Sequence, residues 1–244
     1  MSSIRSAMRL AQASGSAGRA AIPYRIRHSA RARHARIVVD GAGVEVVVPR
    51  GFALRQVEPF VEEKRAWIER TLGRMRESEA ELSPARLEDG GEVPYLGERL
   101  PLRLSRGSRA RVTPRVGGLD VTVREPGATA VRAALESWYR RRARVEVASR
   151  LDAAVARAGS AYTGLQIRGQ STRWASCSST GTMSFNWRLL LAPAEILDYV
   201  VEHEVAHLSV HDHSARFWAL LAERCPDSRE RERWLRRHGH ALHL

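Results

Sequence analysis

Apolar side chains recur at the spacing of one helical face near the C-terminal end of the chain. The members of this stripe are Leu197, Val201, Val205 and Leu208. Pro193 stands just before them, where the first turn of a helix tolerates proline, and Glu195 falls where the positive end of the helix dipole favours an acid. The pattern predicts an amphipathic helix that begins near Pro193 and packs its stripe against a core.

A two-residue alternation precedes this helix. Residues 171–191 alternate around a Ser-Ser-Thr-Gly turn, which predicts a β-hairpin leading into the helix. We expect an exposed edge along residues 182–187 to bind an extended peptide by strand addition. The alternation of Met183, Phe185 and Trp187 equally predicts that these side chains belong to the core.

The remaining stretches are strand-like first and helical later. Alternation predicts a hairpin over residues 37–48 and short strands over 100–123, and helical periodicity predicts one long helix over about 54–81. A Glu-Pro-Gly segment at 125–127 marks a boundary. Beyond it the pattern predicts a long helix over 130–158, then the hairpin, the helix after Pro193 and two closing helices.

These elements predict an α+β fold with a β-rich N-terminal part and a mainly helical C-terminal part. Residues 1–20 bear Arg and Ser and contain no acid, and a disordered leader is the preferred interpretation of this segment. Residues 21–127 would form a β-rich domain with one long helix. Residues 128–244 would form the helical domain, with the β-hairpin before its central helix.

Composition indicates a soluble protein of a reducing compartment. The chain has 244 residues, of which 43% are hydrophobic, and it has neither an apolar run long enough to span a membrane nor the apolar core of a secretory signal. Its two cysteines, Cys177 and Cys225, are too few for a disulfide framework. A cytoplasmic location without a membrane partner is therefore expected, although the leader, which has no acid before Asp40, shares its composition with organelle transit peptides.

The chain is strongly basic, which suggests nucleic acid as an alternative partner. Forty basic residues against 27 acidic ones give a formal charge of +13 and a pI near 11.1. Only Lys64 is a lysine, and the arginines are spread throughout the chain, as a genome-wide codon bias would produce. The two densest clusters, 140–144 and 229–237, are interpreted as solvated helix faces, and acids interleave the second.

The central helix carries the one motif in the chain that demands chemistry. His203 and His207 are four residues apart, so both imidazoles can reach one metal ion from the same helical face. Glu204 stands between them, free to act as a base. Zinc with three protein ligands keeps a position for water and lowers the pKa of that water. The H-E-x-x-H spacing therefore predicts a zinc site for metal-assisted hydrolysis.

His213 is the preferred third ligand. It lies six residues after His207, as in the metzincin pattern, but Val210 occupies the glycine position and no Met follows the motif, so a metzincin is not predicted. Ser214 has the character of a helix N-cap and would fix the residue before it. The alternative ligands are His211 and Glu223. A smaller alternative makes Cys177 an inhibitory or additional ligand.

These segments together resemble the YgjP-like metallopeptidases, often labelled SprT-like. The resemblance rests on the runs Arg173–Ser179, Ser184–Leu189, Tyr199–His207, His213–Trp218 and Gly90–Gly97, and it spans roughly residues 22–240. Two positions depart from the family pattern: Ala175 stands where glycine is usual, and Glu202 stands where an apolar residue is common. The resemblance implies a zincin-like C-terminal part with His203, His207 and His213 as zinc ligands and Glu204 as the catalytic base.

The sequence thus predicts a zinc-dependent metallopeptidase with one zinc ion per chain, acting on a protein or peptide. Glu204 would be the general base toward a metal-activated water. Arg173, Asn186 and Tyr199 are candidate donors to the oxyanion of the intermediate. The alternatives are a zinc hydrolase of nucleotide phosphoanhydrides and a basic nucleic-acid-binding protein with a structural zinc. Glu204 argues against the last, because a structural site has four closed ligands and no use for an adjacent base.

Overall fold

The computed structural model describes residues 10–12, 21–41, 43–170 and 173–244. In these residues the fold is α+β, with strands concentrated in the N-terminal part and helices in the C-terminal part, as predicted. The chain divides into two compact units, Met1–Glu81 and Leu82–Leu244. The segment 82–127 therefore belongs with the C-terminal helices and not, as the pattern predicts, with the N-terminal strands.

The first unit contains a four-stranded sheet in the order β1-β2-β4-β3. Its strands are β1 (Leu10–Gln12), β2 (Pro23–Ser29), β3 (Arg36–Asp40) and β4 (Gly43–Pro49). β3 and β4 form the predicted hairpin, and β2 runs parallel to β4. The predicted leader lies outside the described residues except for β1, which pairs with β2.

The single helix predicted over 54–81 is two helices. A 3-10 turn (Leu54–Gln56) leads into α1 (Val57–Glu63), and α2 (Arg65–Leu82) follows. Lys64 separates them because its backbone, at φ −95° and ψ 3°, leaves the helical region. Hydrophobic periodicity continues across this position, so the periodicity alone could not reveal the break.

The second unit begins with another four-stranded sheet and the longest helix. The sheet has the order β5-β6-β8-β7. Its strands are β5 (Glu92–Tyr95), β6 (Glu98–Arg106), β7 (Arg111–Arg115) and β8 (Gly118–Val123). Helix α3 (Ala128–Ala158) follows and ends at Gly159, whose φ of 59° is the left-handed conformation that glycine adopts readily.

A three-stranded sheet lies next to the His-bearing helix. Its strands are β9 (Gly164–Arg168), β10 (Ala175–Cys177) and β11 (Thr182–Asn186), in the order β10-β11-β9. β10 and β11 form the predicted hairpin. The prediction of an open edge along 182–187 was wrong, because β9 pairs with β11 in parallel and makes it the central strand. Met183, Phe185 and Trp187 are buried in the core, as their alternation predicted.

The remaining elements are helical. A 3-10 turn (Trp187–Leu191) leads into α4 (Ala194–Ala206), the helix predicted after Pro193. The two predicted closing helices are α5 (Ala215–Arg224) and α6 (Ser228–His238), and a last 3-10 turn spans Gly239–Ala241. Over the residues described, every helix is too short or too polar to cross a membrane.

Candidate metal centre

Helix α4 places His203 and His207 beside each other. Leu197, Val201 and Val205 are almost completely buried, so the predicted stripe fixes the rotation of the helix. The rings of His203 and His207 lie on a neighbouring face, with centroids 5.0 Å apart. The regular helix ends at Ala206, and His207 is its C-cap residue.

The chain then turns back and brings His213 to the same place. The Ser214 N–H donates to the Asp212 carboxylate at 3.1 Å, and α5 begins at the next residue. His213 Nε2 lies 3.2 Å from His203 Nε2. Within the described residues, the metal-competent cluster consists of His203, His207 and His213, with ligand atoms all within 4.8 Å of one another, and it includes neither His211 nor Glu223.

The imidazoles have the protonation that metal binding requires. His207 Nδ1 lies 3.0 Å from the carbonyl oxygen of Val210, which can only accept, so Nδ1 carries the proton and Nε2 keeps its lone pair. Burial, together with the charges of His207 and His213, lowers the pKa of His203 to about 4. Burial also lowers the pKa of His207. Both rings are therefore neutral near pH 7, the form that binds metal.

One phenylalanine side chain contacts the imidazole rings of all three histidines. Phe217, in the first turn of α5, is fully buried. Its centroid lies 4.5 Å from that of His207 in a stacked arrangement, 4.9 Å from that of His203 and 4.8 Å from that of His213. Trp218 stands at the side, 6.2 Å from His203 and 5.9 Å from His213. No local sequence motif indicates this role of Phe217 and Trp218, because their position depends on how α5 packs against α4.

Glu204 is buried beside the cluster and touches the neighbouring sheet. Its side chain is 6% exposed. Burial raises the pKa of Glu204 to about 7, although the backbone N–H of Cys177 donates to the carboxylate and partly offsets the rise. Strand β10 thus holds the carboxylate in place through its backbone. Sequence analysis missed this contact because a backbone donor leaves no side-chain signature.

Cys177 contributes its backbone here, and its thiol has a different partner. The Sγ–H donates to the carbonyl oxygen of Ser178 at 3.4 Å. Burial and the nearby charge of Glu204 raise the pKa of the thiol, so it stays protonated at neutral pH. In the described part of the chain it does not belong to the metal-competent cluster.

The three predicted oxyanion donors occupy different positions. Tyr199 lies next to the cluster, with its ring centroid 5.9 Å from that of His203, and burial together with the charge of Glu232 raises its pKa to about 12. Asn186 is buried, and its amide donates to the carbonyl oxygen of Gln170 while its Oδ1 accepts from the N–H of Arg188. Arg173 is exposed just before β10.

The donor set fits a zinc ion. In a tetrahedral site with Zn–N distances of 2.0–2.1 Å, two ligand nitrogens are about 3.3 Å apart. The 3.2 Å between the Nε2 atoms of His203 and His213 matches that edge. Three imidazoles within reach of one metal ion, beside a buried carboxylate, form a donor set that suits metal-assisted hydrolysis.

A match to a known protein family also indicates a metal-dependent hydrolase. The sequence model of the YgjP-like metallopeptidase domain matches residues 33–238, which is most of the chain. The protein belongs to the YgjP-like metallopeptidase family, and the resemblance noted in its sequence is confirmed.

Two further comparisons add little. A solved structure described as the metallopeptidase zymogen of Pyrococcus abyssi abylysin is similar to part of the chain. The two are 26% identical in sequence, with a TM-score of 0.34, over 36% of this chain and 91% of that chain. No curated protein matches the sequence.

Proposed function

We propose that this protein is a zinc-dependent peptidase in which His203, His207 and His213 hold one zinc ion and Glu204 is the general base. The observation that carries the proposal is the convergence of three imidazoles beside a buried carboxylate. When bound there, zinc would act as a Lewis acid on the scissile carbonyl and lower the pKa of water toward neutrality. A structural zinc is disfavoured, since such a site has four closed ligands and needs no adjacent base.

Glu204 has the surroundings that a proton carrier needs. Burial disfavours the charged form of the Glu204 carboxylate and raises its pKa. A carboxylate oxygen of Glu204 therefore accepts a proton from the attacking water more readily than one of an exposed carboxylate would. The Cys177 N–H keeps the group oriented while the proton is held. The same oxygen would then deliver the proton to the leaving amine.

Among the described strands β10 is at the edge of its sheet, and we place the peptide substrate along the side of β10 that faces away from β11. The N–H of Asn186 donates to the carbonyl oxygen of Trp174, and the N–H of Ser178 donates to that of Thr182, so the residues that flank β10 direct these groups toward β11. Because antiparallel pairing alternates, the backbone groups of Ala175 and Cys177 face the other way. The Cys177 N–H reaches Glu204 from that side. A substrate strand added next to Ala175 would therefore run past the metal centre.

Of the candidate oxyanion donors, Tyr199 has the geometry that fits best. Its ring contacts that of His203, and its raised pKa keeps the phenol protonated as a donor. Arg173 stays a candidate, because it precedes the edge strand and is exposed. The side chain of Asn186 is instead engaged in hydrogen bonds with the backbone of Gln170, before β10, and of Arg188, after β11.

The test compares Glu204→Gln with Glu202→Gln in zinc-loaded protein. Glu202 lies on the same helix but pairs with Arg157 at 2.6 Å, so it is a matched carboxylate outside the cluster. We expect both variants to bind about one zinc per chain. Glu204→Gln should lose peptide hydrolysis by about 100-fold or more, whereas Glu202→Gln should retain it.

The substrates are unfolded casein, a peptide library and nucleoside triphosphates, each with and without a chelator. Full hydrolytic rate in Glu204→Gln would refute the assignment of the base. If only nucleoside triphosphates were hydrolysed, and a chelator stopped the reaction, the function would be that of a phosphoanhydride hydrolase and not of a peptidase. Hydrolysis of neither, in protein that holds zinc, would also refute the proposal.

A further inference from the structure

A cation is held one indole ring away from the metal centre. The guanidinium carbon of Arg229, at the start of α6, lies 3.9 Å from the ring centroid of Trp218. That indole is the neighbour of His203 and His213 at the side of the cluster. The indole lies 3.9 Å from Arg229 and 5.9 Å from the His213 ring, and this path is no longer than about three extended residues at 3.3–3.6 Å each, so Arg229 places a positive charge within reach of a peptide bound at the metal.

Arg229 is available to bind a ligand. Its side chain is 62% exposed. Its ion pair with Glu232 is long, at 3.4 Å, and uses one Nη1 atom. A guanidinium stacked on an indole keeps its N–H groups directed outward in the plane of the fork, where they can bind both oxygens of a carboxylate. Stacking also reduces the entropy that the side chain would lose on binding.

The charge continues along one face of α6. Arg233 and Arg236 lie four and seven residues after Arg229, which puts all three on one helical face, and both are exposed. Within the described residues neither has an ion-pair partner, whereas Arg231 pairs with Asp227 on another face. We call these three arginines the α6 stripe. Glu232 lies on the same face and, through its ion pair with Arg229, compensates one of the three charges.

We propose that Trp218 and Arg229 form a subsite for a substrate carboxylate, and that the α6 stripe extends it, so that the enzyme prefers acidic peptides. The proposal rests on the proposed peptidase function and adds the class of substrate. The carboxylate could be an Asp or Glu side chain or the C-terminal carboxylate of a peptide, because both present the same two oxygens. A chain with 40 basic and 27 acidic residues would also attract such peptides at long range.

The position of the pair favours a peptide over a nucleic acid. The indole lies beside His203 and His213, so a ligand of Arg229 would be separated from the imidazoles by this one ring. Nucleic-acid binding would need only dispersed phosphate contacts and has no use for a cation at this particular position.

The test uses peptides that differ only in charge. One pair has Glu or Gln on either side of the scissile bond, and a second has a free or amidated C-terminus. Wild-type kcat/KM should be about tenfold higher for the member that fits the subsite, because a charge-assisted hydrogen bond stabilises by about 1.5 kcal/mol. Arg229→Gln should remove this preference and leave the neutral peptide within about twofold of wild type. Arg229→Lys should restore part of it.

Arg132→Gln is the control, since it removes an exposed charge from the first turns of α3. It should leave the preference unchanged. Peptide binding is measured separately by fluorescence anisotropy on the zinc-loaded Glu204→Gln protein with and without Arg229→Gln. The second readout does not depend on turnover.

The outcomes separate the two proposals. Equal cleavage of acidic and neutral peptides by wild type would overturn the subsite and leave the peptidase intact. Binding of the acidic peptide that depends on Arg229, without cleavage by wild type, would support the subsite and refute the peptidase. Binding of a single-stranded oligonucleotide that depends on Arg229, without binding of the acidic peptide, would overturn the subsite in favour of a nucleic-acid surface.

Discussion

At the scale of single residues, the metal centre depends on packing as much as on hydrogen bonds. His207 is oriented by a hydrogen bond to Val210. His203 lacks an equivalent bond at Nδ1, which is buried and has no hydrogen-bond partner in the described part of the chain, although its Nε2 lies 3.2 Å from that of His213. The ring of His203 is held by contacts with Tyr199 and Phe217. Phe217 also touches the other two imidazoles and so couples the orientation of all three.

We therefore expect Phe217→Leu to weaken zinc binding by about tenfold, the effect of losing a group that orients metal ligands. The leucine keeps the site apolar but has no ring to stack on His207. Phe185→Leu is the control, since Phe185 is equally buried in β11 and makes no ring contact with the described histidines. Competition with a chromophoric chelator measures the affinity. Equal affinities for the two variants would show that Phe217 only fills space.

At the scale of elements, a polar network joins α3 to the His-bearing helix. Glu146 of α3 accepts from Tyr95, from Arg142 at 2.6 Å and from Arg150 at 2.6 Å. Arg150 also donates to Asp198 of α4 at 2.8 Å. Burial on its own raises the pKa of Glu146, but the hydrogen bonds from Arg150 and Tyr95 and the two arginine charges outweigh it and leave the pKa lowered.

Glu146→Gln should cost about 1–2 kcal/mol of stability at pH 7, because Arg142 and Arg150, which are 40% and 24% exposed, lose the carboxylate that accepts from both. A lowered folded pKa gives stability above the unfolded value of about 4.3, and this stability is lost as the pH falls through the folded pKa. The difference between variant and wild type should therefore narrow below about pH 4. Urea denaturation, monitored by tryptophan fluorescence at several pH values, measures the difference in the free energy of unfolding between variant and wild type.

Glu136→Gln provides the comparison on the same helix. Glu136 pairs with Arg140 at 2.7 Å, but both side chains are more than a third exposed, so the loss should stay below about 1 kcal/mol at every pH. If Glu146→Gln lowered the free energy of unfolding equally at every pH, the loss would come from poor packing of the introduced amide and not from the loss of the carboxylate charge.

The elements that sequence predicted well are those with local signals. Helix α4 and the β10–β11 hairpin follow from periodicity and turn residues close together in the chain. The pairing of β9 with β11 was missed because it is parallel and joins residues 18 positions apart, across the intervening β10, with no turn motif to mark it. The break at Lys64 was missed because it interrupts the backbone and leaves the pattern intact.

The candidate site divides in the same way. His203, Glu204 and His207 are set by spacing on one helix, and His213 is brought in by a short loop. Phe217 and the Cys177 N–H depend on tertiary packing, which a single sequence does not encode in any local motif. The candidate ligands and the base were therefore predictable from sequence, whereas the groups that orient them were not.

At the scale of the whole molecule, the described residues build two hydrophobic cores with no residue in common. The smaller core lies in the first unit and includes Val46, Val61 and Ile68. The larger core lies in the second unit and includes Leu151 of α3 and Val205 of α4. The whole metal centre belongs to the second unit, so its stability should follow the larger core.

We expect Ile68→Ala to destabilise the first unit by about 2–5 kcal/mol, since it opens a cavity at a fully buried position. Hydrogen exchange measured by mass spectrometry should show lost protection in peptides from residues 21–81 and unchanged protection in 82–244, with zinc affinity maintained. Leu151→Ala, at a fully buried position of the other core, should do the reverse and also weaken zinc binding, because α3 packs behind the His-bearing helix. Parallel loss of protection in both units after Ile68→Ala would show instead that the two cores unfold as one cooperative structure, in which case the metal centre would depend on the entire chain.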